Sequence, residues 1–242
     1  MTDSLRGQVA IVTGASGGIG GAIARALISA RVKVYAPEHA LLDVTNATAV
    51  KEYVRFVMGQ EERLDILVNC AAAAPAVEAS ETLDLYNFHR VIETDLVGTF
   101  LMCREAGREM IARGYGRVVN LSSVHARLTY PHRAAYATAK AAVIGLTQAL
   151  AVEWAGRGVT VNAIAPATVE SPRSDGFFER DPEALAAILA RSPSSHLATL
   201  ADVANAALWL CQPASGFING ITLPVDGAWS VSGWYHSFTG NE

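Results

Sequence analysis

At 242 residues with 51% hydrophobic side chains, the chain can bury a substantial core in one large α/β domain or two small ones. Its net charge is −4 and it has no dense Lys/Arg run, which argues against a nucleic-acid or anionic-membrane surface. Small molecules and further copies of the chain are left as partners, and the lack of any linker, charge block or repeat makes residues 1–242 read as a single domain.

The opening stretch Val9-Ala-Ile-Val-Thr13 is an apolar run of strand length. It enters the glycines of Gly14-Ala-Ser16-Gly-Gly18-Ile19-Gly20, and Ala22 to Leu27 then has helical composition. Strand, glycine turn and helix open a dinucleotide-binding βαβ unit, in which a pyrophosphate sits on the free N–H groups of the helix start. Val32 to Ala36 reads as a second strand. Six residues, Pro37 to Leu42, separate it from Asp43-Val44-Thr45-Asn46, where a helix over 47–58 begins with Thr45 or Asn46 as its cap. A parallel crossover takes a dozen residues or more. The helix between the second and third strands of a doubly wound sheet is therefore expected to be missing, and the next strand reduced or absent.

Leu64 to Val68 reads as a buried strand running into Asn69-Cys-Ala71-Ala72, followed by one helical stretch over 85–113 that contains Asp95. Arg117 to Leu121 is a strand that delivers Ser122 and Ser123 to its carboxyl end, where open parallel sheets bind ligands. A helix from about Tyr136 to Trp154 closes at Gly156 and Gly158. Val159 to Ile164 is a strand ending at Ala165-Pro166-Ala167. Residues 168–200, broken by prolines and containing an amphipathic piece over 182–190, read as a loop-and-helix cover over the site. A helix over 201–210 and a strand over 221–223 complete the order, and the aromatic tail from Trp229 onward has no obvious place in the core.

Cys70, Cys103 and Cys211 lack metal-ligand spacing and read as reduced thiols. The six histidines include no His-x-x-x-His pattern, so no metal site is expected. No basic segment followed by a long apolar one opens the chain, so no signal peptide is expected and a cytoplasmic location is. Residues 135–155 are strongly apolar, but Lys140, Gln148 and Glu153 mark a buried or interface helix rather than a membrane span.

Tyr136 and Lys140 lie four apart and share a helix face. A free tyrosine, with a pKa of about 10, is a poor acid–base near neutrality, and a nearby ammonium favours its phenolate. Ser123 can donate a hydrogen bond to a substrate oxygen as its charge changes. Tyr and Lys at this spacing are common on helices, so this pair alone decides nothing. Together with Thr13–Gly20, Asp43-Val44, Asn69–Ala72, Asn120–Ser123, Val161–Ala167 and Leu223–Gly227, in that order along nearly the whole chain, the sequence closely resembles the single-domain short-chain dehydrogenase/reductases.

That resemblance implies a Rossmann-type three-layer sheet, a nicotinamide cofactor and hydride transfer between it and an alcohol or ketone. It casts Tyr136 as the acid–base and Ser123 as the polariser of the substrate oxygen. Lys140 would bind the nicotinamide ribose and favour the phenolate. Gly14, Ser16, Gly18, Ile19 and Gly20 would cradle the pyrophosphate. Asp43 and Val44 would meet the adenine, Asn69 and Ala71 the ribose, and Pro166 and Val169 would flank the nicotinamide end, with Val169 touching the carboxamide. It also implies a homotetramer with interfaces on the helices at 85–113 and 136–155.

Four positions depart from the family pattern, the first being Cys70, where the family has a second Asn after Asn69. Ala72 and Ala167 put methyl groups where glycines usually stand, and Asp95 replaces the usual catalytic Asn. Its charge would draw on Lys140 and displace the activity profile to higher pH. Glu38, just past the second strand, could accept from the ribose hydroxyls and would repel a phosphate, which favours NAD over NADP. The alternative is a non-catalytic or weakly active NAD(P)-binding or sensing protein of the same fold.

Overall fold

The computed structural model describes residues 2–74 and 77–232. Six parallel strands form one sheet in the order β2-β1-β3-β4-β5-β6. They are β1 (Val9–Thr13), β2 (Lys33–Tyr35), β3 (Ile66–Asn69), β4 (Gly116–Leu121), β5 (Val159–Pro166) and β6 (Thr222–Val225). Both faces of β1 are covered, which is why it reads as a continuous apolar run rather than an alternating one. Ala10 and Val12 join a core with Ile23 and Leu27 of α1 (Gly18–Ser29) and Val203 and Leu210 of α8 (Leu200–Cys211). Val9 and Ile11 point the other way. They meet Val54 of α2 (Ala47–Glu61), Met102 of α4 (Gly98–Arg113) and Trp154 of α5 (Ala134–Trp154). These are the three layers expected of the fold.

The crossover after β2 is cut short as expected. Residues 36–46 hold neither helix nor strand; the Glu38 carbonyl accepts from the Leu41 and Leu42 N–H groups, and Leu42 and Val44 are buried. Asn46, not Thr45, caps α2, its side chain accepting from Thr48 and Ala49 N–H. Among the described residues no strand lies beyond β2, which is tied to α2 by Lys33 and Tyr35, both meeting Glu61.

The expected single helix over 85–113 is three pieces. α3 (Leu85–Ile92) runs into a π-turn at Glu93–Val97 and then α4. Leaving β5, the chain forms α6 (Pro172–Phe178) and α7 (Pro182–Arg191), returning where Val169 bridges Ala198. By length and composition α5 and its following turn could cross a bilayer, yet α5 packs on β5 and buries Lys140, so it is the core helix of the domain. Trp229 corrects the sequence reading: it is 2% exposed, buried against His125, Tyr130 and Arg191. The tail beyond residue 232 lies outside the described residues.

Candidate active site

The glycine turn is built for close backbone contact. Gly14 has φ +65°, and a Cβ there would stand 2.7 Å from the Ala71 nitrogen. A Cβ on Gly20 would stand 2.4 Å from the Gly14 carbonyl oxygen. Thr13 ties the turn to the loop after β3, its hydroxyl accepting from Cys70 and Ala71 N–H at 3.2 Å each. Gly17 caps α1 with no side-chain bond, so the N–H groups of Gly18, Ile19 and Gly20 lack both an intrahelical acceptor and a side-chain cap. Ser16, Gly17 and Gly18 are exposed around this helix start. Free donors at a positive helix end, with exposed glycines around it, fit the pyrophosphate of a dinucleotide.

Across the sheet edge, β4 delivers the two serines. The Ser122 hydroxyl donates to the Lys140 carbonyl at 2.9 Å, and the buried Ser123 hydroxyl accepts from His125 N–H at 3.2 Å. One helical turn of α5 carries Tyr136, half-buried, and Lys140, buried. The Lys140 ammonium lies 5.6 Å from the Tyr136 ring centre, so the two share a face as their spacing required. It donates to the Leu121 carbonyl at 3.0 Å and pairs with an Asp95 carboxylate oxygen, also at 3.0 Å. The other Asp95 oxygen accepts from Ala73 N–H at 2.8 Å. Asp95 is fully buried, and the π-turn that holds it is not visible in the residue pattern.

The remaining predicted residues divide. Asp43 is half-buried and accepts from the backbone and hydroxyl of Thr45, bonds that hold its carboxyl below the usual range. The Val44 side chain is core. Asn69 turns its amide inward, donating to Asn120 at 2.9 Å and to the Cys103 sulfur at 3.3 Å, so only its main chain faces the loop. Ala71 abuts Gly14. Pro166 ends β5, and Val169 sits at the neck of the α6–α7 excursion. Cys103 and Cys211 are buried, and burial pushes both thiols up to about 12, so neither is a nucleophile near neutrality. Among the described residues no cluster could hold a metal ion.

At Val124 and His125, which follow the serines in sequence, opens a cavity of about 580 Å³ between the ends of β5 and β6 and the α7 excursion; Ser123 and Tyr136 are not in its lining. Val124, His125, Tyr130 and Trp229 line its inner side. Trp229 and Tyr130 are the residues sequence reasoning underweighted; their contacts join segments some hundred residues apart, and no local signal announces them.

A parallel sheet, an uncapped glycine helix start and a buried lysine one turn from a tyrosine define a dinucleotide-dependent oxidoreductase of Rossmann type. The family model described as enoyl-(acyl carrier protein) reductase matches residues 14–230. The chain is 37% identical to a 3-oxoacyl-[acyl-carrier-protein] reductase of Rickettsia bellii, over 92% of this chain and 97% of that one. It is 34% identical to the D-threitol dehydrogenase of Mycolicibacterium smegmatis, over 94% of each. Among solved structures, the gluconate 5-dehydrogenase of Burkholderia cenocepacia in complex with NADP and tartrate superposes with a TM-score of 0.87 at 27% identity, covering 96% of this chain and 99% of that one. The chain belongs to the short-chain dehydrogenase/reductase family, and it is an NAD(P)-dependent oxidoreductase.

Proposed function

We propose that the protein is an alcohol dehydrogenase or carbonyl reductase with Tyr136 as its acid–base. The bound nicotinamide supplies the hydride acceptor or donor for a carbinol or carbonyl carbon. In reduction, Tyr136 gives its phenolic proton to the substrate oxygen while Ser123 donates a hydrogen bond to it; in oxidation the phenolate takes that proton back. Lys140, 5.6 Å from the Tyr136 ring, places a positive charge beside it, and Asp95 pairs with that charge. Gly14, Ser16, Gly18, Ile19 and Gly20 hold the pyrophosphate. Asp43 and the Val44 main chain meet the adenine, the Asn69 main chain and Ala71 the ribose, and Pro166 and Val169 the nicotinamide end. Residues 168–200 cover the substrate within a single domain. The observation that carries the reading is the convergence of Ser123, Tyr136 and Lys140 on the same sheet edge as the glycine turn.

NAD is the proposed cofactor, supported by Glu38 after β2 and by the lack of Lys or Arg in residues 14–20. Titration with NADH and NADPH decides it, and tighter NADPH binding would overturn it. Exposed Tyr86, Phe100 and Val152 on α3, α4 and α5 support a homotetramer, proposed as cytoplasmic. A non-catalytic binder is the second reading, favoured by the engagement of Lys140 with Asp95 and Leu121. Tyr136→Phe separates the two. In an enzyme it lowers kcat by about 10²-fold or more while cofactor binding survives; a wild-type chain that binds cofactor but turns over no alcohol or carbonyl substrate supports the binder.

A further inference from the structure

The cavity at Val124 and His125 has an unusual lining for its size. Tyr130 and Trp229 stand 5.8 Å apart at 88°, and His125 meets Tyr130 at 4.6 Å and 78° and Trp229 at 6.5 Å and 41°, so Tyr130 makes a corner with each of two mutually tilted rings. The same His125 ring lies 5.9 Å from the Tyr136 ring, which joins the corner to the acid–base. Trp229 is fixed in place, 2% exposed and with the Arg191 guanidinium 4.1 Å from its ring centre. Arg191 is outside the lining; the carboxylates within it are Asp202 and Asp226. One Asp202 oxygen accepts from the Thr199 N–H and hydroxyl, and Asp226 accepts from the Ala228 and Ser230 N–H groups, so local bonds fix both carboxylates in place. Burial pushes the His125 imidazole down to about 4, so it is a neutral wall near pH 7. Ser192 and Thr168 add neutral hydroxyls. A volume of about 580 Å³ is that of a site for a ligand well above the size of a four-carbon polyol.

We infer that the substrate is an uncharged, ring-bearing ketone or its secondary alcohol, packed in the corner of His125, Tyr130 and Trp229, and that sugar acids and other carboxylates are excluded. The inference rests on the reading of Tyr136 as acid–base, because that residue orients the reacting oxygen toward the corner. Aromatic walls contribute contact area and edge-to-face attraction to a flat or ring-shaped body, and the two carboxylates repel an anion.

The test uses the full chain with reduced cofactor at pH 7.5 and three probes: 2-tetralone, a carboxylated tetralone, and 2-butanone. The expected kcat/KM order places 2-tetralone about tenfold or more above each of the others. Trp229→Phe is expected to keep most of this preference. Tyr130→Ala is expected to raise KM for 2-tetralone about tenfold, with kcat changed less and KM for 2-butanone unmoved, a split that a general loss of structure would not give. Preference for the carboxylated probe, or equal KM values for Tyr130→Ala and wild type, overturns the inference. Ligand-observed NMR on Tyr136→Phe with the same probes keeps the two readings apart. Selective 2-tetralone binding without turnover in wild type sinks the acid–base assignment alone, and absence of saturable 2-tetralone binding sinks the substrate class.

Discussion

Lys140 is held from two sides, by the Leu121 carbonyl and the Asp95 carboxylate, and both contacts are buried. An ammonium paired in this way is a weaker source of positive potential at Tyr136 than one facing a neutral amide. Replacing the carboxylate with a neutral amide removes the competing charge beside the ammonium. Asp95→Asn is therefore expected to change kcat/KM for alcohol oxidation severalfold, and unchanged kinetics would remove Asp95 from the chemistry. The glycine turn allows a second test at this scale. The methyl of Gly20→Ala would stand 2.4 Å from the Gly14 carbonyl, backbone against backbone, with no flexible side chain to give way. The expected cost is about 2 kcal/mol of stability, with dinucleotide affinity lowered tenfold or more, read by calorimetry of the titrated protein.

Among the elements, α2 begins where the shortened crossover ends, and Asn46 carries its cap with two N–H groups bonded to one side-chain oxygen. Asn46→Ala is expected to cost about 1 kcal/mol, seen as a lower denaturant midpoint with an unchanged slope. The missing helix was legible from a count of six residues, and the cap was legible as Thr45 or Asn46, the choice between them being settled only by the bonds Asn46 makes to Thr48 and Ala49. The Tyr136–Lys140 face was legible because helical spacing fixes it. The π-turn was not. Residues 85–113 have one continuous helical composition, and the extra residue shows only where Asp95 must reach both Ala73 and Lys140. Trp229 was misplaced because it follows Asp226-Gly227 into a polar aromatic tail. What buries it are rings and a guanidinium from residues 125, 130 and 191, contacts that no local window contains.

For the whole molecule, His125 couples the site to pH. Burial, with a smaller contribution from Arg133, pushes it down to about 4, whereas an unfolded histidine titrates near 6.5. Between those values the unfolded chain binds the extra proton, so stability falls as pH drops from about 6.5 toward about 4 and carries no such penalty above that window. Denaturant midpoints measured across it should flatten in His125→Gln relative to wild type. The sheet's end at β2 has its own consequence. Three residues paired on one side only, with no strand outside them among those described, leave this margin the part of the sheet whose amides should exchange with solvent soonest. The adenine half of a dinucleotide would lie over that same margin. Ligand occupancy should then appear as slowed exchange at residues 33–35, with the bound nucleotide standing in for the neighbour the chain does not supply.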